Sequence, residues 1–280
     1  MLAPSAGTLP PGHWLVEPYI FDAIQYGNYD RNGKLTGATH ANGYGSLTYI
    51  IYGVAKRFSL GMIPTFGINA PQGGPTTSGI RFGDLAVDAQ YQLVKYRADS
   101  WIPMTSINLQ ETLPTGEYDR LGDNPSNGLG SGAYTTTVSL YTQTYFWTHR
   151  GRILRMRVDA SQSFSGDVNV EGVSVYGTDA AFQGTARPGK TFTLDLAQEY
   201  SFTRNWVFAT DLLYKHSGNT QVVSRSSLTN SGSSDAFFVA PAIEYNWTPK
   251  AGILLGLRTI PAGANVSATL VPALAINMVR

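Results

Sequence analysis

The chain contains no cysteine, which excludes a disulfide framework, thiolate chemistry and cysteine-based metal sites. It is also poor in charge. Lysine, arginine, aspartate and glutamate make up 14% of its 280 residues, against about a quarter in an average soluble domain. The 20 basic and 19 acidic residues leave a formal net charge of +1. There is no basic excess to neutralise phosphates, so nucleic acid is excluded as a partner. No stretch reaches the roughly 18–20 consecutive apolar residues of a transmembrane helix. The opening, MLAPSAGTLPPGHW, has neither a basic nor an apolar signal segment. It is expected to be an added Met1 on a processed, exported chain.

What is present favours β structure: 30 glycines, 16 tyrosines and 12 phenylalanines, with many serines and threonines. Apolar and polar residues alternate with period two in segment after segment. Between Phe82 and Tyr96, Leu85, Val87, Ala89, Tyr91 and Leu93 stand on one parity, and Asp84, Asp88, Gln90 and Gln92 on the other. Leu154, Met156 and Val158 oppose Arg155, Arg157 and Asp159; Phe192, Leu194 and Leu196 oppose Asp195 and Glu199. Further along, Phe208 and Leu212 oppose Asp211 and Lys215, Ile243 opposes Glu244, and Leu255 and Leu257 oppose Arg258.

A soluble β-sandwich alternates in the same way, so the connections have to decide. About twelve strands are expected, near 12–26, 43–57, 59–70, 82–96, 101–113, 132–147, 151–164, 188–202, 205–216, 236–247, 250–260 and 265–280. Long connections (27–42, 114–131, 165–187, 217–235) alternate with short ones, the asymmetry of outer-membrane barrels. The 5 tryptophans, with Tyr96, Tyr145, Tyr200, Phe202 and Tyr245, cluster beside the short turns as an interfacial girdle would. The expected fold is therefore all-β: a single antiparallel transmembrane β-barrel in the bacterial outer membrane, with short periplasmic turns and long extracellular loops. One domain spans 1–280, with an N-terminal extension over 1–11. The facing of 43–57 is unassigned, because both parities are apolar. PAGAN (261–265) is short for an outer loop, and VNVEGVSVY within 165–187 is either a loop hairpin or two further strands.

The segments LPTGEYDRLGDNP (113–125) and EYNWTPKAGILLGLRTIPAGANVSATLVPALAINMVR (244–280) carry a resemblance. They are similar to an outer-membrane family named for the MetA pathway of phenol degradation, whose members are described as transporters. The resemblance covers most of the chain from Trp14 and includes no catalytic signature. It implies an outer-membrane barrel and uptake of small hydrophobic or aromatic solutes. One departure is the final Arg280, where such barrels usually end in an aromatic residue.

Catalysis and metal binding find little support. His13, His40, His149 and His216 are the 4 histidines, and only His216, five residues after Asp211, is placed for acid–base work at an outer rim. GDNPSNGLGSG lacks the acidic repeat of a calcium loop. No cofactor is expected. The informative residues are those expected to line the interior: Asp88, Gln90, Gln92, Asn108, Gln110, Arg155, Arg157, Asp159, Asp195, Glu199, Asp211, Glu244 and Arg258. The expected partners are outer-membrane lipid and a small-molecule solute, with the oligomeric state open. If the lumen is hydrated, it passes small solutes and its arginines bias charge selectivity. If Arg155, Arg157 and Arg258 pair across strands with the acids, the barrel is closed and structural or ligand-binding. The acids outnumber the arginines, which favours water and ions. Any plug is expected from 114–131 or 165–187, both long and rich in small residues.

Overall fold

A computed structural model describes residues 3–148, 151–224 and 227–280. β1 (Trp14–Tyr29) and β2 (Leu35–Ala55) form the first hairpin. β3 (Phe58–Ile63) and β4 (Thr65–Pro71) are two halves of one strand, interrupted at Pro64, which has no N–H to donate to a ladder. β5 (Arg81–Phe82) and β6 (Leu85–Val94) return beside them, followed by β7 (Met104–Leu113), β8 (Thr135–Trp147) and β9 (Ile153–Ser165). β10 (Val168–Glu171) and β11 (Gln183–Arg187) leave the wall, which resumes with β12 (Thr191–Ser201) and β13 (Trp206–Ser217). After β14 (Gln221–Ser224) and β15 (Leu228–Asn230), also outside the wall, β16 (Ser234–Thr248), β17 (Ala251–Ala264) and β18 (Val266–Val279) complete it.

β1 pairs with both β2 and β18, all antiparallel, so the sheet has no free edge and forms a closed barrel of 12 strands. The ends meet at the short-turn side, where Trp14 and Arg280 exchange backbone hydrogen bonds of 3.0 and 2.9 Å. Alternation follows the parity read above. Ile20, Leu109, Leu140, Leu212 and Leu255 are exposed on the outer face, while Ser106, Asn108, Ser139 and Asp211 are buried inside. An outer face this apolar matches hydrocarbon, not water. Trp14, Trp101, Trp147, Trp206 and Trp247 are all exposed at the short-turn end, the level at which amphipathic rings sit in a bilayer.

Several expectations need correction. The stretch 27–42 is not a long loop: β1 and β2 stay paired from Gly27↔Gly37 to Tyr29↔Leu35, around a turn at 30–34. Its run of glycine, alanine and threonine hides the alternation. In β2, Gly43, Gly45, Leu47 and Tyr49 share the inward parity, and Ile50 and Tyr52 the outward one. At PAGAN, β17 and β18 run to Ala264 and Val266, and Asn265 alone turns the chain, at φ 54°. The VNVEGVSVY segment supplies β10, which joins β11, β14 and β15 in a separate 4-stranded sheet and adds nothing to the wall.

That outer sheet has its own core of Val168, Val170, Ala186 and Val222, against which Tyr118, Tyr176 and Phe182 pack. Tyr176 donates to the Ser131 carbonyl at 2.5 Å, and burial pushes its phenol up to about 12. The loops at this end are therefore a folded cap rather than loose connections. Replacing the lipid-facing Leu140 with arginine is expected to destabilise the barrel by about 2–4 kcal/mol if it lies near the bilayer midplane. Urea unfolding in phospholipid vesicles measures this, and a loss below about 1 kcal/mol would place Leu140 at an interface instead.

Candidate functional site

The barrel interior collects the polar residues because the alternative position for each is lipid. Asn108 donates to Asp88 at 2.7 Å, and Asn277 to Glu244 at 2.7 Å. Gln90 and Gln92 are buried, and Gln110 lies 3.5 Å from Thr112. Asp195 stands opposite Asp159 across the β9–β12 ladder. Both are almost completely buried, as is Asp211, and the backbone N–H of Thr142 donates to Asp159 at 3.2 Å. Arg155 and Arg157 converge on one carboxylate, Glu199, at 3.1 and 2.5 Å. Arg155 also donates to Gln143 at 2.6 Å. Arg258 pairs with no acid among the described residues and lies over the Phe238 ring, 5.6 Å from its centroid. Cross-strand pairing thus joins Arg155 and Arg157 to Glu199 but leaves Arg258 out.

A plug is present, and its main part comes from neither of the loops expected to supply one. Residues 3–11 turn in from the short-turn end and cross the interior. Arg157 donates to the Ala3 carbonyl, Gln90 to the Ser5 carbonyl at 2.9 Å and Ser106 to the Ala6 carbonyl. Ser5 donates to Gln143 at 3.3 Å, and the Leu9 N–H to Ser59 at 3.0 Å. Ala3 and Ala6 are buried. The segment enters over Gly53, where a Cβ would lie 2.0 Å from the Pro10 carbonyl oxygen, so only glycine leaves it room. Its own run of small residues, Ala3 to Gly7, suits a narrow passage. Of the two expected plug loops, 165–187 lies in the outer sheet. The 114–131 loop does reach inward, placing Leu129 beside Phe21, Leu47 and Gly67 in a cavity of about 260 Å³.

A second cavity, of about 210 Å³, is bordered by Tyr19, Phe21, Leu47, Tyr49, Leu254 and Arg258. Tyr19 and Tyr49 meet edge to face, with centroids 6.0 Å apart. Gly45 makes space for the Phe21 ring, which a Cβ there would meet at 2.3 Å. This apolar wall escaped the sequence reading because both parities of β2 are apolar.

The histidine expectation changes as well. Asp211 is on the inward parity and His216 on the outward one, so the two do not form a pair. His216 instead meets Asp235 at 2.8 Å, and Tyr214 donates to the same carboxylate at 2.6 Å. His149 lies outside the described residues. No cluster of metal-ligating side chains occurs among the described residues.

The model of the family described as "Putative MetA-pathway of phenol degradation" matches residues 29–259. The chain belongs to this family. Among solved structures, an outer membrane channel from Pseudomonas putida F1 superposes with a TM-score of 0.80 at 14% identity, covering 100% of both chains. The NanC porin gives 0.51 at 8% identity, over 93% of this chain and 98% of that one. The β-domain of the Bordetella autotransporter BrkA gives 0.50 at 10% identity, over 96% and 99%. At these identities the likeness is one of fold, the outer-membrane barrel. No curated protein matches the chain. Within this family member, Arg157 ties the N-terminal segment to the wall. Arg157→Met is expected to free the Ala3 carbonyl, raise single-channel conductance in a planar bilayer and shift the reversal potential towards cations. An unchanged trace would mean that the segment is held without Arg157.

Proposed function

We propose that this chain is an outer-membrane channel for small apolar or aromatic solutes, surrounded by lipid and working without a cofactor. The observation that carries the reading is the aromatic-walled cavity of about 210 Å³ inside a closed barrel whose interior along β6 to β9 and β12 is polar. A closed structural barrel has no use for such a space, whereas a passage for rings needs an apolar stretch within a hydrated route. Membership of a family described by phenol degradation supports an aromatic solute. The Pseudomonas putida neighbour, an outer membrane channel of the same fold, is consistent with this reading.

In this proposal the inward side chains from Asp88 to Arg258 named from the sequence line the route, and the N-terminal segment narrows it at the periplasmic end. No catalytic residue is assigned. His216 and Asp235 face outward from the wall, away from that route.

The crossing of the lumen by residues 3–11 favours a second reading, a barrel closed at rest. Conductance of the refolded full chain across a planar lipid bilayer separates the two. Discrete, salt-dependent steps are expected. A bilayer that stays silent, with folding verified by heat-modifiable gel migration, would overturn the open channel and leave the closed barrel.

A further inference from the structure

The cavity beside Tyr19 has a feature that passage of a neutral ring does not use. Arg258 borders it from β17, and its Nε is buried without a hydrogen-bond partner. Arg155 and Arg157 are both committed to Glu199, but Arg258 has no carboxylate within ion-pair distance among the described residues. The Phe238 ring supports the guanidinium from one side. A partly buried cation without a counter-ion is costly in a low-dielectric wall. A guanidinium also presents a planar fork of donors that fits a carboxylate with two parallel hydrogen bonds.

The remainder of the wall suits a single ring. Tyr19, Phe21, Leu47, Tyr49 and Leu254 are aromatic or aliphatic, and the volume of about 210 Å³ exceeds the roughly 150 Å³ that suffices for benzene. Lys215, on the inward parity of β13 and also without an ion pair among the described residues, is a second cation in a lumen that also holds Glu17, which accepts from Tyr19.

We propose that this cavity is a binding site for a monocyclic aromatic carboxylate, its ring against Tyr19, Phe21 and Leu47 and its carboxylate on Arg258. This deepens the channel reading and rests on it for the route by which the solute arrives, though not for the binding itself.

Benzoate and benzyl alcohol share the ring and differ in the charged group, so the pair isolates the contribution of Arg258. Each is titrated into the refolded full chain in detergent, and binding is followed by saturation-transfer NMR. Benzoate is expected to bind about tenfold more tightly or better, a difference typical of one charge-assisted pair. Arg258→Met, checked for heat-modifiable migration, should remove that preference and leave benzyl alcohol unaffected, while Arg258→Lys keeps part of it. Equal binding of the two ligands by the native chain overturns the site, whether or not the variant folds. A benzoate preference in a chain that conducts nothing upholds the site and removes the channel reading alone. Conduction with no benzoate preference does the reverse.

Discussion

A strand that crosses hydrocarbon must pair every backbone N–H and C=O with a neighbouring strand, because no water is present to take their place. A sheet with an edge cannot meet that requirement, and closure through β1 does. The rest of the molecule follows from it. Once the ladder is closed, successive side chains have only two destinations, lipid or lumen, and the period-two sequence sorts itself between them. Leu109 can face outward only because Asn108 and Gln110 then face inward.

Sorting by polarity gathers carboxylates and guanidiniums in a space of low dielectric, where an uncompensated charge is expensive. The interior responds unevenly. Near the periplasmic end, Glu199 is shared by two arginines, and the N-terminal segment contributes carbonyl oxygens that the wall lacks. Across β1, β2 and β17 the interior is instead largely apolar, with Glu17 accepting from the Tyr19 hydroxyl, and Gly45 yields its side-chain volume to Phe21. One barrel therefore holds two chemically different environments, a dense hydrogen-bonded crossing and a ring-lined cavity. Arg258 is the charge placed beside the second.

Much of the wall was legible in the sequence because its information is local. In β6, β9 and β12 most inward polar residues are flanked by apolar ones, and the inward direction of Asp88, Arg155, Asp159 and Asp195 follows from parity alone. Parity failed in two instructive places. β2 carries apolar residues on both faces, since its inward face lines a cavity while its outward face meets lipid. The far end of β2 is mostly exposed, glycine and threonine serve both faces there, and no alternation marks the strand.

What the sequence by itself determined was the class of the fold, the even number of wall strands and, where one parity is polar and the other apolar, the direction each side chain takes. All of these depend on residues one or two positions apart. What only the tertiary structure decided were contacts between residues far apart in the chain. Gln90 holds Ser5, Arg157 holds Ala3, Leu129 descends to Phe21, and Arg258 borders a cavity whose other wall comes from β1 and β2. Alternation says which way a side chain points, but closing the barrel sets what stands across from it.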